Sequence, residues 1–336
     1  TGWTTDATRF LKFIGPPLPD QNMINQDNLY DRAVVRHSAG SAMTISGMGA
    51  GCLVIFENMI FHSTTAAGTS PVGISAVNGT IRFVNCTFFK RNEGGGNPAA
   101  FIVNSATCTI ECITCTFISK LTPGGYGVLL TACAAASKFY HCTAIAFGIG
   151  FNCNGQIVTL KNCYSRATVA YGNIGAATLV TCASSDATGT PAGLQNVPFD
   201  YTNWNSAVAG FELDTEPIGA NPCLNGGTDI SGEGAPWNVP NDCLGVAYVA
   251  ATPSVGCRQY TVKVPRIRHI YIGPGGFGVY PAFNDFATLG ALSAINRDLV
   301  ANTERWFVEC SEVIETVAVA FNGWVTNSTY YLHIRN

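Results

Sequence analysis

Polar and apolar positions along this chain recur in a short block: an apolar residue, two variable ones, Cys or Met, then a small residue and often Phe. Six copies lie between Met43 and Thr190. They are Phe56-Glu57-Asn58-Met59-Ile60-Phe61, Phe83-Val84-Asn85-Cys86-Thr87-Phe88, Cys112-Ile113-Thr114-Cys115-Thr116-Phe117, Phe139-Tyr140-His141-Cys142-Thr143-Ala144, Leu160-Lys161-Asn162-Cys163-Tyr164-Ser165 and Leu179-Val180-Thr181-Cys182-Ala183-Ser184. From Met59 to Cys182 the steps are 27, 29, 27, 21 and 19 residues, the span of one coil of a three-sided β-solenoid whose loops shorten toward the C-terminus. The copies alternate in the β-favouring way between clusters of Gly, Asn, Ser and Pro, which predicts short strands joined by turns.

Stacked about 4.8 Å apart, the copies place Met59, Cys86, Cys115, Cys142, Cys163 and Cys182 in one column. Phe56, Phe83, Cys112, Phe139, Leu160 and Leu179 form a second. A line of sulfurs does not converge as a metal site requires, whereas cysteine packs well as a small buried hydrophobe. The column is therefore a core ladder, with no metal and no cofactor expected. In-register parallel neighbours often miss disulfide geometry, so the disulfide candidates are Cys223, Cys243 and Cys257 in loop-rich sequence. Just before the sulfur column runs a polar ladder of Asn58, Asn85, Thr114, His141, Asn162 and Thr181. Asn tolerates the left-handed conformation that a bend needs, and His141 reads as a substituted turn residue rather than a catalytic base.

Beyond the coils the period changes. Val262 to Ile270 alternates basic and apolar residues like an exposed strand, on which Lys263, Arg266 and Arg268 are a basic row, and a Gly-rich linker follows at Gly273 to Gly278. Asp285 to Val300 carries Phe286, Leu289, Leu292, Ile295 and Leu299 at helical spacing. Trp306 to Cys310 and Val317 to Phe321 read as strands.

Composition narrows the function. Charged residues make up 12% of the chain, about half the usual share, and the formal net charge is -3. That balance gives no basis for binding nucleic acid or an anionic membrane surface, and no apolar stretch reaches the roughly 18 residues of a spanning helix. Between Met43 and Thr190 the only acidic residues are Glu57, Glu93, Glu111 and Asp186, which do not stack on one face, so the paired carboxylates of glycoside hydrolysis are missing from the coils. Later acidic residues leave room for a site between the last coil and a covering loop. The histidines are scattered without ligand spacing. Asn78 and Asn327 head glycosylation acceptor triplets, as does Asn85, which precedes a core Cys.

The two ends carry one element twice. Gly2-Trp3-Thr4-Thr5 through Phe10, Leu11 and Phe13 aligns without gaps on Gly323-Trp324-Val325-Thr326 through Tyr331, Leu332 and Ile334. A repeated end suits a unit made to follow itself, because stacked repeats bury their core only against a neighbour.

On the coils, the opening Gly2 to Phe10, and the segments Asn221 to Asp229, Asn241 to Gly245 and Pro253 to Gly256, the chain resembles right-handed parallel β-helix proteins of the pectin-lyase-like kind, closest to uncharacterised phage and environmental members. Asp285 to Val300 resembles that family's N-terminal cap helix, displaced to follow the body. The resemblance implies an all-β, right-handed parallel β-helix over residues 1–260, a linker over 261–280 and a small α+β cap or docking segment over 281–336. The expected function is a non-enzymatic, self-assembling extracellular, cell-surface or virion protein, polymerising head to tail into a filament or tube with copies of itself as partners. Its joint would use Trp3, Phe10 and Phe13 at one end and Leu289, Leu292, Trp324, Tyr331 and Ile334 at the other. The alternatives are a tailspike-like β-helix that binds or cleaves glycan, and one unit of a longer tandem chain.

Overall fold

The computed structural model describes residues 10–15, 33–37, 41–63, 70–91, 99–120, 125–146, 148–198, 217, 221–242, 247–249, 251–257, 259, 266–272, 299–300, 304–310, 324–329 and 331–335. The chain divides into two compact units, one of Thr1–Trp204 with Asp214–Tyr260, the other of Asn205–Leu213 with Thr261–Asn336.

The first unit is a parallel β-helix. Its first coil comprises β1 (Leu11–Ile14), β2 (Ala33–His37) and β3 (Met43–Ile45), and the second β4 (Cys52–Glu57), β5 (Met59–Ser63) and β6 (Val72–Ser75). The third holds β7 (Gly79–Val84), β8 (Thr87–Arg91) and β9 (Ala99–Asn104), and the fourth β10 (Thr109–Ile113), β11 (Thr116–Lys120) and β12 (Tyr126–Ala132). The fifth holds β13 (Lys138–Tyr140), β14 (Thr143–Ala146) and β15 (Ile149–Asn152), and the sixth β16 (Thr159–Lys161), β17 (Tyr164–Arg166) and β18 (Val169–Gly172). A last, two-sided coil has β19 (Thr178–Val180) and β20 (Ala183–Ser184). Every third strand pairs in parallel, giving sheets of seven, seven and six strands among the described residues.

Three inward columns fill the bore. In the first sheet Phe13, Phe56, Phe83, Cys112, Phe139, Leu160 and Leu179 lie in register. In the second sheet the column runs Phe61, Phe88, Phe117, Ala144, Ser165, Ser184, and in the third Val72, Phe101, Val128, Phe151, Tyr171. Large and small residues compensate across each layer. Where the second sheet dwindles to Ala144 and Ser165, the third supplies Phe151 and Tyr171, so the interior stays close-packed. The Tyr171 hydroxyl lies 2.9 Å from the Cys163 carbonyl and 3.0 Å from that of Ala183, which satisfies the one polar group of this layer's large ring.

At the bend between the first and second sheets each coil from the second to the last repeats one device. Asn58, Asn85, Thr114, His141, Asn162 and Thr181 all hold φ between 51° and 55°, the left-handed region. Their side chains bond along the axis: Asn85 Nδ2 donates to Asn58 Oδ1 at 3.2 Å, Thr114 Oγ1 donates to Asn85 Oδ1, and Asn162 Nδ2 lies 3.2 Å from His141 Nε2. The next residue is the column Cys, whose thiol points at a carbonyl one coil earlier. Sγ-to-O distances are 3.4 Å for Cys86 to Phe56, 3.4 Å for Cys115 to Phe83, 3.4 Å for Cys142 to Cys112, 3.2 Å for Cys163 to Phe139 and 3.3 Å for Cys182 to Leu160. Burial pushes the Cys112, Cys142 and Cys182 thiols well above their ordinary value, which keeps them protonated donors rather than nucleophiles.

The second unit contains a three-stranded parallel sheet, β21 (Arg266–Ile272), β22 (Glu304–Cys310) and β23 (Leu332–Arg335), in that spatial order. The expected basic strand corresponds to β21 and Trp306 to Cys310 to β22. Of the expected helix, only Leu299 and Val300 lie among the described residues, where they form a turn. The Leu299 N–H donates to the Val325 carbonyl at 3.0 Å. Leu289, Leu292 and the strand expected over Val317 to Phe321 lie outside the described residues.

Candidate assembly interface

The solenoid finishes differently at its two ends. After β20 the chain folds across the last coil: Thr190 N–H donates to the Cys182 carbonyl at 2.7 Å and Val197 N–H to that of Ser184 at 2.8 Å, which seats Leu194 and Val197 as buried apolar residues. Asp186 holds this loop by accepting from the N–H of Ala170 and of Thr188, both through its carboxylate. The last coil is thereby covered by its own chain.

The first coil has no such cover among the described residues. The three sheets end there on β1, β2 and β3, and no described strand pairs with their outer edges. The Phe83–Phe56–Phe13 stack, with centroids 5.1 Å apart at both steps, stops at Phe13, which is 47% exposed. Phe10 is exposed beside it, and so is Ile14, at 60%. Lys12 pairs with Glu57 at 2.6 Å and anchors β1 to β4. The aromatic column thus ends in a half-bare ring next to a strand edge that no described strand covers.

In the second unit, Trp324 and Tyr331 are half-buried and Ile334 is 42% exposed; Val325, exposed beside Trp324, is an apolar residue that sequence reasoning missed, as is Ile14. Phe10 and Phe13 are thus both on the first coil, and Ile334 is on β23 with Tyr331 just before it. Trp3, at the proposed joint, lies outside the described residues.

One flank of the coils is covered by a strap formed from the described residues of 221–242, 247–249 and 251–257. Asn162 pairs with it as a strand edge would: Nδ2 donates to the Thr228 carbonyl and the Thr228 N–H donates to Oδ1, both at 2.8 Å. Gly256 N–H donates to the Asn162 carbonyl and Cys257 N–H to Thr143 Oγ1, while the Tyr248 ring lies 4.2 Å from the His141 ring. Gly256 sits at φ 100° so close to the coil that a Cβ would come within 2.9 Å of Thr143 Oγ1. On the outer face of the first sheet, Trp237 packs on Tyr140 at 4.8 Å, and Glu233 accepts from Lys161 Nζ at 2.7 Å and from the Tyr140 hydroxyl at 3.2 Å. The hydrogen bond from Lys161 holds the Glu233 carboxyl below its usual range.

The cysteines proposed for disulfides are placed otherwise. Cys223 is a buried free thiol, raised in pKa by its apolar surroundings, and Cys257 turns its sulfur to Thr116 Oγ1 at 3.2 Å. The strap is held by hydrogen bonds and ring packing, and Cys243 lies outside the described residues. Asn78 and Asn327 are both exposed, Asn327 accepting from the Thr329 N–H. Carboxylates on the coils are engaged structurally, Glu57 with Lys12 and Glu111 with Arg82 at 2.6 Å.

No protein-family model, curated protein or solved structure matches the chain. Its functional reading therefore rests on the geometry of these two ends.

The strap makes stability sensitive to acid. His141 is fully buried, and desolvation pushes its pKa down to about 3, with Lys161 adding a smaller push in the same direction. Above its ordinary value of 6.5 the ring is neutral in both folded and unfolded chains; between 6.5 and 3 only the unfolded chain takes up the proton. Stability should thus fall as pH drops through that window, by up to roughly 1.4 kcal/mol per pH unit. Urea midpoints measured from neutral to acid pH should show a shallower slope in His141→Asn, which keeps a residue suited to the bend.

Proposed function

We propose that the protein is a structural unit that polymerises head to tail, outside the cell, on a cell surface or in a virion. The observation that carries this reading is the contrast between the ends of the solenoid. A coil sealed by its own chain has no need of a neighbour; an aromatic stack ending in the half-exposed Phe13, at strand edges that no described strand pairs, does. A surface with few charges suits the lateral crowding of such a polymer, and the repeated Gly-Trp element offers the tail of one copy to the head of the next. The engagement of Glu57, Glu111 and Glu233 in ion pairs supports a structural rather than a hydrolytic use of the coils.

The test is the mass and shape of the full chain in solution. Light scattering should rise with concentration, and negative-stain images should show rods or tubes of variable length. Ile14→Lys puts a charge at the exposed joint, where Glu57 beside it in register spares the fold, and should leave short particles; rods as long as those of the parent protein would count against the reading.

A further inference from the structure

The repeated end element is a strand in both places, with the same bounds: β1 is Leu11–Ile14 and β23 is Leu332–Arg335, 321 residues apart throughout. In chain order the neighbour of β1 comes after it and that of β23 before it. Along the solenoid axis β4 follows β1, in the register Leu11↔Val54, Lys12↔Ile55, Phe13↔Phe56, Ile14↔Glu57. In the second unit β22 precedes β23, in the register Trp306↔Leu332, Phe307↔His333, Val308↔Ile334, Glu309↔Arg335. The two neighbours are alike, three apolar residues and then Glu, in Val54-Ile55-Phe56-Glu57 and Trp306-Phe307-Val308-Glu309. One kind of strand thus pairs in parallel with such a partner in both units. Among the described residues no strand precedes β1 in its sheet, and β23 is the last strand of its own.

We infer that the joint between copies is made by β23 of one copy adding in parallel to the outer edge of β1 of the next, in the register Leu332 beside Leu11 and Ile334 beside Phe13. This deepens the head-to-tail reading and rests on it. Polarity fits: the spatial order β21, β22, β23 followed by β1, β4, β7 of the next copy runs every strand the same way and in chain order, so ten strands form one parallel sheet. Chemistry fits as well. Ile334, exposed on β23, comes over the half-bare ring of Phe13 and extends the stack Phe13–Phe56–Phe83 by one apolar layer. A shift by one residue would turn these side chains to the opposite face, which is why a register can be named.

Charge repair in the full chain tests the register. Phe13→Lys alone and Ile334→Asp alone should each lower polymer mass about tenfold, since each buries an uncompensated charge in the joint. The double variant Phe13→Lys with Ile334→Asp should recover polymers at low salt and lose them at high salt, as an ion pair directly opposite would. The control pair Leu11→Lys with Ile334→Asp, two residues out of register, should not recover. Circular dichroism melts that match the parent protein confirm that all variants are folded. If the parent protein polymerises but the in-register pair fails to recover, or the control pair recovers equally, the strand-addition joint is wrong while head-to-tail assembly stands. A parent protein that remains monomeric overturns both.

Discussion

Phe83→Ala is expected to lower the unfolding free energy by about 4 kcal/mol, the scale for removing a large ring from a packed core. Phe83 is completely buried and sits where the columns meet. It stacks on Phe56 at 5.1 Å and takes edge contacts from Phe61, Phe88 and Phe101 at 5.1 to 6.0 Å. Those four rings are fixed by strands above, below and across the bore, so the void cannot collapse. Phe83→Leu should cost roughly 1.5 kcal/mol, because most of the volume survives and only shape is lost. Urea denaturation of both variants separates the two terms. A Phe83→Ala loss no greater than that of Phe83→Leu would show that the layers relax freely and that the rings do not interlock.

Asn162→Ala should cost about 3 to 4 kcal/mol and loosen the strap. The side chain is fully buried, and its two hydrogen bonds to Thr228 would leave a backbone N–H and a carbonyl unmatched in a dry site. A third polar neighbour, His141 Nε2, would lose its partner, and Ala would inherit φ 55°, a conformation costing about 1 kcal/mol or more without Gly or Asn. Asn162→Gly recovers the backbone part and none of the hydrogen bonds, so it should fall between Ala and the parent chain. Amide hydrogen exchange at Gly227, Thr228 and Gly256 should accelerate in both variants while that of Phe88 and Phe117 changes little. Uniform acceleration would mean that strap and coils open as one unit.

Much of the solenoid was legible because two of its three sides are nearly invariant in spacing. The aromatic column and the sulfur column stay three residues apart from Phe56 and Met59 to Leu179 and Cys182, so the bend and its left-handed residue declare themselves at every coil. The third side does not. Val72 follows Met59 by 13 residues, Phe101 follows Cys86 by 15 and Tyr171 follows Cys163 by 8, because the turns between the second and third sheets vary in length. The first coil was hidden for the same reason: Phe13 precedes Phe56 by 43 residues, far from the steps of 19 to 29 that mark the others. At the interface, Phe10, Phe13 and Ile334 were found through the duplicated element. Ile14 and Val325 were missed because they fall at positions where that element does not match itself. The strap carries no period at all. Its seat on His141 and Asn162 depends on long-range hydrogen bonds to turn residues that local pattern cannot display.

Among the described residues the strap's contacts run from Val84 in the third coil to Thr181 in the last. Because each layer of a solenoid touches only the next, free energy is distributed along the axis like tension in a clasped zipper, and the slider sits near one end. Unravelling is expected to start around Phe13 and Phe56 and to slow where the clasp begins. The end at which the ring of Phe13 is half-bare thus lies farthest from the strap, so under the proposed assembly docking and ordering of that end strengthen each other.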